Sequence, residues 1–378
     1  MGSVGSWLTM RVAVTVEQSW HRVPGGTAHA VLGLLRALPG VASDLEVVGV
    51  AARHGEAPPA AWTVPVPVAH LALPRPALYE AWHLPDPLRR PLVERATGAV
   101  DLVHATAVAV PASRAPLVVT VHDLAFLADR SHATRHGHRF FRRGLELTRA
   151  HARLVLVPSA ATAAECVAAG IGRDRLRVIP WGVAVPVLAP GAVTAVRRRH
   201  RLEQPYVLFA GTVEPRKNLR RLVEAFRRLD DPDAELVLVG PAGWHESAPD
   251  LLAGIEDRAR ALGFVSRAEL DALMAGAALV AYPSVREGFG LPVLEAMAVG
   301  APVLTSRGTA TEEVAGGAAV LVDPLDVASI ADAMAGVLGD PTEARALAER
   351  GRARAAACTW AACAEAHVAA YAEVADGG

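Results

Sequence analysis

The segment Ala210-Gly211-Thr212-Val213-Glu214-Pro215-Arg216-Lys217-Asn218-Leu219 follows an apolar run of strand length and sets two cations where that strand gives way to a helix. Cations there, beside the free N–H groups of a helix start, form an anion site. Lys217 is the single lysine of the chain, and the other 37 of its 38 basic side chains are arginine. An ammonium is a compact point charge and a guanidinium a planar fork, so a lone lysine at this position points to a role that arginine does not fill. The same count removes several chemistries. A P-loop needs Gly-Lys followed by Ser or Thr, whereas Lys217 lies between Arg216 and Asn218. The V-A-I-K-like strand of kinases is absent, and a pyridoxal Schiff base would have Lys217 alone to use.

The second constellation is Arg286-Glu287-Gly288-Phe289-Gly290-Leu291-Pro292-Val293-Leu294-Glu295-Ala296-Met297. Gly288 and Gly290 allow close backbone approach, and Pro292 suits the first turn of a helix. The N–H groups of that turn are a second anion-binding device. Glu287 and Glu295, eight residues apart, bracket it and suit recognition of hydroxyl groups on either side of a phosphate. In the first half of the chain, Gly25-Gly26 before a helix is a third place where a sugar or phosphate could meet bare backbone. Val119-Thr120-Val121-His122-Asp123 puts His122 and Asp123 at a strand's carboxyl end, either as a structural pair or as site residues.

Other patterns imitate sites. Asp231-Pro232-Asp233 spells the D-x-D of metal-dependent sugar transferases but reads better as a proline turn. His132, His136 and His138 have no H-E-x-x-H frame, so no metal is expected. Arg135, Arg139, Phe140, Phe141, Arg142, Arg143 and Arg149 form a basic helix, either a solvated face or a contact for an acceptor or a membrane surface.

These residues need scaffolding, and the apolar pattern supplies it. Runs of strand length alternate with segments of helical period, the signature of βα repeats and a parallel sheet. The first set of strands reads at 11–16, 45–50, 101–104, 117–121, 154–157 and 176–179. A helix over 27–38 follows the first of them, and Ser159 caps another that Gly170 ends. The pattern breaks over 180–205, which carries Pro186, Pro190 and Gly191. The second set reads at 206–209, 235–239, 278–282, 302–304 and 318–321, with alanine-rich helices from Val327 onward. At roughly 150 residues per domain the 378 residues make two α/β domains, and the expected ligand cleft lies at the carboxyl ends of both sheets.

Composition narrows the partners. A formal net charge of -1 gives no global field for nucleic acid. Cys166, Cys358 and Cys363 form no C-x-x-C pair and fit a reduced, cytoplasmic compartment. Residues 1–9 lack the pattern of a signal peptide, and Met10 is a candidate start. No apolar run reaches about 18 residues, so association at the inner face of a membrane would be peripheral.

Taken together, the Gly-Gly loop, His122-Asp123, Ser159, Gly211-Thr212 with Arg216-Lys217-Asn218-Leu219, Gly240, Gly263-Phe264-Val265 and Glu287-x-Phe289-Gly290-Leu291 with Glu295-Ala296-Met297-Ala298-x-Gly300 resemble glycosyltransferase family 4. The opening Glu17-Gln18-Ser19-Trp20-His21-Arg22 is similar to mannosyltransferase-like members. The resemblance implies a GT-B fold: an acceptor-side domain over 10–183, a nucleotide-sugar domain over 184–357, and a last helix near 359–375 that crosses back to the first. It also implies retention of anomeric configuration, no metal or other cofactor, and a nucleoside-diphosphate sugar as donor, GDP-mannose first and UDP-hexoses next. Arg216 and Lys217 would hold the diphosphate, Glu287 and His122 the transferred sugar, and Glu295 the ribose. Gly25, Gly26, Gly211, Thr212, Gly288, Phe289, Gly290 and Leu291 would line the donor, and Val265 and Ser266 would meet the base. The acceptor would be a glycan, a lipid-linked or a small-molecule hydroxyl compound. The alternatives on a similar fold are a nucleotide-sugar epimerase and a non-catalytic binding protein.

Overall fold

A computed structural model describes residues 10–21, 25–128, 135–229, 233–241, 243 and 247–377. They fall into two compact units, one reaching Gly182 and taking in Trp360 onward, the other spanning Val183–Thr359.

The N-terminal unit is built on a seven-stranded sheet in the order β3-β2-β1-β4-β5-β6-β7. Its strands are β1 (Met10–Thr15), β2 (Leu45–Ala51), β3 (Val68–His70), β4 (Leu102–Ala105), β5 (Leu117–Thr120), β6 (Ala152–Val157) and β7 (Leu176–Val178). All pairings are parallel, with Val14 facing Gly49 on one side and His104 on the other. Both neighbours of β1 are reached by crossovers of opposite direction, so the strand order reverses between β1 and β4. In open α/β sheets such a switch point opens a crevice at the strand ends. The segments after β1, β4 and β5 carry Glu17 to Trp20, Thr106 and His122 to it.

The helix Gly25–Val41 buries Val31, Leu34, Leu35 and Leu38, the stripe expected from its 3.6-residue period. It packs on the last helix, Trp360–Asp376, so closely that a Cβ on Gly33 would lie 2.4 Å from the Trp360 ring. Cys363, Ala364, Ala370, Tyr371 and Val374 of that last helix share one apolar cluster with Val12, Val14 and Leu35. The chain end thus returns to complete the first unit's core, as the resemblance implies. Burying a side chain the size of Val374 stabilises by about 1.5 to 3 kcal/mol and a methyl group by less, and together these contacts make the helix integral to the unit.

The C-terminal unit has a six-stranded parallel sheet in the order β10-β9-β8-β11-β12-β13. Here the strands are β8 (Tyr206–Ala210), β9 (Glu235–Val239), β10 (Ala259–Gly263), β11 (Leu279–Tyr282), β12 (Val303–Ser306) and β13 (Val320–Val322). Its switch point lies between β8 and β11.

Two edge strands escape the sequence pattern. β3 is three residues long and follows a Pro-rich stretch, and β10 reads Ala-Arg-Ala-Leu-Gly with exposure alternating along it. Edge strands are covered on one side only and tolerate residues of low β propensity, so neither carries the apolar run that marks a central strand. The first helix also runs longer than the expected 27–38, and contains Pro39 in its last turn. Ser159 caps its helix as expected, accepting from the Thr162 N–H at 3.1 Å.

Candidate active site

In the C-terminal unit β8 ends at Ala210, and the chain turns across the end of β9. Gly211 N–H donates to the Val239 carbonyl at 2.8 Å, and a Cβ on Gly240 would lie 2.0 Å from the Gly211 carbonyl oxygen. The two strand-end loops can touch because neither carries a side chain there. Pro215–Lys217 form one 3-10 turn, and Asn218 takes the left-handed conformation (φ 64°, ψ 30°) before the helix Leu219–Arg227. Asn218 tolerates that conformation and pins it, since its Nδ2 donates to the carbonyls of Pro283 at 2.9 Å and Pro324 at 2.6 Å. The turn therefore faces the end of β11 with Arg216 and Lys217 at its tip.

There the two cations meet two carboxylates and a phenol. Arg216 Nη1 donates to Glu287 Oε2 at 2.8 Å, and its Nε donates to Glu214 Oε1 at 2.8 Å. Lys217 Nζ donates to Glu287 Oε1 at 2.5 Å and to the Tyr282 hydroxyl. Tyr282 in turn donates to the same Glu287 oxygen at 3.1 Å, and its ring lies under the ammonium with 4.8 Å between nitrogen and centroid. The Lys217 and Glu287 side chains are 9% and 8% exposed, so these are charges taken out of water and compensated by each other. Burial alone would raise the Glu287 pKa, but Arg216 and then Lys217 outweigh it and hold the carboxyl at about 2. The Lys217 pKa is lowered by burial and then by Arg216, against the pull of Glu287 and Glu214. Burial pushes the Tyr282 hydroxyl well above its usual range, so it stays a donor.

After Glu287 the chain enters the helix Leu291–Val299 through Gly290, which sits at φ 110°. Only glycine takes that conformation readily, and a Cβ there would also meet Thr311 Cγ2 at 2.7 Å. Pro292 occupies the first turn, where its missing N–H costs no helical bond. Gly288, Phe289 and Leu291 are buried beside it. Glu295, one turn inside, is ion-paired with Arg267, whose Nη2 is 2.8 Å from Asp271 Oδ1. Ser266 spends its hydroxyl capping the helix Arg267–Ala275, accepting from Glu269 N–H at 3.3 Å, and Val265 is half-buried before it. Gly211 and Thr212 are half-buried at the end of β8. The structure thus gathers Arg216, Lys217 and Glu287, and the Arg267–Glu295 ion pair ties the helix Leu291–Val299 to the helix that Val265 and Ser266 lead into.

The remaining expected site residues belong to the N-terminal unit. Gly25 and Gly26 open its first helix and are exposed, Gly25 with φ 65°. Arg22 and Pro24 lie outside the described residues. His122 Nε2 donates to the Thr106 carbonyl at 2.7 Å, and its ring meets Trp181 at 5.3 Å between centroids. Burial lowers its pKa against the opposing Thr106 bond and the Asp123 charge, which favours a neutral imidazole. Next to it His104 bridges Tyr371 (2.8 Å) and Thr120 (2.7 Å). A cavity of about 20 Å³ among Thr106, His122, Trp181, Cys363 and His367 is roughly the size of one water.

Several residues that build these places are not marked in the sequence. Glu214 lies two residues before Arg216 with no spacing that marks it, and Tyr282 reads as one more strand residue. A tyrosine in an otherwise apolar central strand is nevertheless a signal, because its buried hydroxyl requires a partner. Of the imitations, Asp231 and His132 lie outside the described residues. No group of three metal-ligating side chains occurs among the described ones. The basic helix Arg135–His151 turns its aromatics inward: Phe140 stacks on His83 at 4.3 Å and Phe141 packs on Phe126 at 5.3 Å. Its outer face keeps Arg135, Arg139, Arg142 and Arg149 exposed, a cationic surface without an apolar one. No described helix is long and apolar enough to cross a membrane.

Comparison with solved structures defines the fold. The fold is that of GT-B glycosyltransferases: HepE of Anabaena, solved with UDP and glucose, matches with a TM-score of 0.73 at 20% identity over 96% of this chain and 100% of its own. WaaG, a glycosyltransferase involved in lipopolysaccharide biosynthesis, matches at a TM-score of 0.70 and 18% identity over 97% of this chain and 100% of its own. The model of Glycosyltransferase Family 4 matches residues 24–186 and that of Glycosyl transferases group 1 residues 194–354. The O-antigen chain mannosyltransferase B of Escherichia coli is 30% identical over 311 residues, 79% of this chain and 80% of its own. The MMP alpha-(1->4)-mannosyltransferase of Mycolicibacterium hassiacum is 35% identical over 191 residues, 49% of this chain and 45% of its own length. The chain belongs to glycosyltransferase family 4, among mannosyltransferase-like members.

Proposed function

We propose that this glycosyltransferase moves a hexose, mannose before others, from a nucleoside-diphosphate sugar to an acceptor hydroxyl with retention of anomeric configuration and without a metal. The observation that carries the reading is the Arg216–Lys217–Glu287 cluster, whose Glu287 lies three residues before Gly290, the glycine that leads into the helix Leu291–Val299. Cleavage of the anomeric C–O bond leaves negative charge on the diphosphate and oxocarbenium character on the sugar. Arg216, Lys217 and the N–H groups at Leu291 meet the first, the service a metal ion performs elsewhere. Glu287 is a weak base with a pKa of about 2 and both oxygens engaged, which suits hydroxyl recognition and charge support better than nucleophilic attack. The acceptor proton then leaves with the departing phosphate, and the new bond forms on the face that the leaving group vacates. Gly211, Thr212, Gly288, Phe289 and Gly290 line the donor, Glu295 holds the ribose, and Val265 and Ser266 meet the base.

Mannose is favoured by the E. coli and M. hassiacum relatives, both mannosyltransferases by name. UDP-linked hexoses are the second choice, because HepE binds UDP and glucose. Gly25-Gly26 and His122 serve the sugar side, and the acceptor is a glycan, a lipid-linked or a small hydroxyl compound. Any contact with an anionic membrane surface would be electrostatic, through Arg135, Arg139, Arg142 and Arg149, in a cytoplasmic setting. The test is a panel of GDP- and UDP-hexoses with excess chelator present. Release of nucleoside diphosphate and an NMR-determined anomeric configuration equal to the donor's are expected. Activity abolished by chelator and restored by manganese would overturn the metal-free mechanism.

A further inference from the structure

Thr106, directly after β4, is tied through its N–H, hydroxyl and carbonyl to Thr15, Gln18 and His122. Its N–H donates to Thr15 Oγ1 at 2.9 Å, and its hydroxyl donates to the Thr15 carbonyl at 2.6 Å. That commits the hydroxyl hydrogen, so Thr106 Oγ1 has only lone pairs left. It must therefore accept from Gln18 Nε2 and from the Thr15 hydroxyl, each at 3.1 Å. The orientation of the Gln18 amide is thereby fixed, nitrogen toward Thr106, and its Oε1 is left buried without a hydrogen-bond partner. A buried acceptor left in this state has room for one donor from outside the network.

The same residue dictates the chemistry of His122. A carbonyl oxygen cannot donate, so the 2.7 Å contact from His122 Nε2 to the Thr106 carbonyl requires the hydrogen on Nε2. Nδ1 is then a lone-pair acceptor, and it too is buried without a hydrogen-bond partner. An unpartnered acceptor beside a water-sized cavity calls for a donor that carries no charge, and a sugar hydroxyl is such a donor.

We propose that Thr15, Gln18 and Thr106 are positioning residues: their hydrogen bonds fix where the Thr106 carbonyl sits, that carbonyl holds His122 in the Nε2–H tautomer, and its Nδ1 then accepts a hydrogen bond from a hydroxyl group of the sugar substrate. This rests on the reading that His122 serves the sugar side, and it adds the three residues that set its tautomer. Thr106→Val removes both the hydroxyl that Thr15 receives and the acceptor that Gln18 needs, while Thr106→Ser keeps them. Gln18→Leu loosens the network from its far end.

The experiment uses full-length protein labelled with 15N-histidine, with His122→Asn to assign the resonance. Two-bond 1H–15N correlations distinguish the tautomers, and release of GDP from GDP-mannose and of UDP from UDP-glucose reports turnover. The parent and Thr106→Ser should show His122 as Nε2–H. Thr106→Val and Gln18→Leu should show a tautomer mixture, with kcat/KM lower by about tenfold, the worth of one neutral hydrogen bond. An unchanged Nε2–H pattern in both variants would overturn the network, whatever their activity. A tautomer mixture with kcat/KM within threefold of the parent would overturn the link to the sugar. A folded parent inactive with both donors would instead overturn the functional reading.

Discussion

The two units share an open parallel sheet with a switch point, yet they gather opposite chemistries at the strand ends. The C-terminal unit brings Arg216, Lys217, Glu214, Glu287 and Tyr282 together, charges that neutralise one another out of water. The N-terminal unit brings Thr15, Gln18, Thr106, Thr120, His104 and His122 together, neutral groups held by hydrogen bonds. One arrangement suits a ligand whose charge grows during the reaction, and the other suits hydroxyl groups whose directions matter. Glu287 also occupies Arg216 and Lys217, so under the proposed function it is an internal counter-anion that a donor phosphate would share or displace. A neutral network needs no such counter-charge and leaves its acceptors vacant instead.

That contrast is sharpest for turnover. Lys217→Ala is expected to cost about 2 to 4 kcal/mol of transition-state stabilisation, roughly 30- to 1,000-fold in rate. Lys217→Arg should lose less, since it keeps the charge but not its compact shape. His122→Ala should cost about tenfold, as a neutral hydrogen bond does. Steady-state kinetics on the three variants check the order, and equal losses for Lys217→Ala and His122→Ala would erase the distinction between charged and neutral sites.

Acid should separate the units next. The Glu287 pKa falls from an ordinary 4.5 to about 2 in the folded protein, so its stabilisation is present above pH 4.5 and disappears as pH falls toward 2. The amount is on the order of 3 kcal/mol, and it belongs to the C-terminal unit. Urea titrations across this range should show the loss, and Glu287→Gln should flatten the curve although it leaves two cations less compensated. A slope equally steep in the Glu287→Gln variant would assign the acid sensitivity to other carboxylates.

Gly290→Ala is expected to be smaller, about 1 to 3 kcal/mol, because φ 110° and Thr311 both resist a Cβ. A lower melting temperature checks it, and no change would show that the helix entrance relaxes at little cost.

Much of the charged site was legible in the sequence because its parts are local. Arg216 and Lys217 are adjacent, and Glu287 to Glu295 form one stretch with its glycines and proline. The neutral site was not, since Gln18 and Thr15 reach Thr106 across 88 and 91 residues and each looks like an ordinary polar side chain. The central strands of both sheets were legible as apolar runs, whereas β3 and β10, paired on one side only, were too short or too polar. Tyr282 completes an apolar strand and carries only a weak signal in the sequence, because its hydroxyl acquires meaning only once Lys217 and Glu287 fold over it.

The most direct test of the division between charge and hydroxyl recognition is a thermal-shift titration with GDP and with UDP on three proteins: the parent, Lys217→Ala and His122→Ala. A ligand that binds only the folded state raises the melting temperature with its concentration. The parent and His122→Ala should be stabilised by the same diphosphate and Lys217→Ala much less or not at all. Equal stabilisation of all three would contradict the assignment of the diphosphate to the Arg216–Lys217 turn.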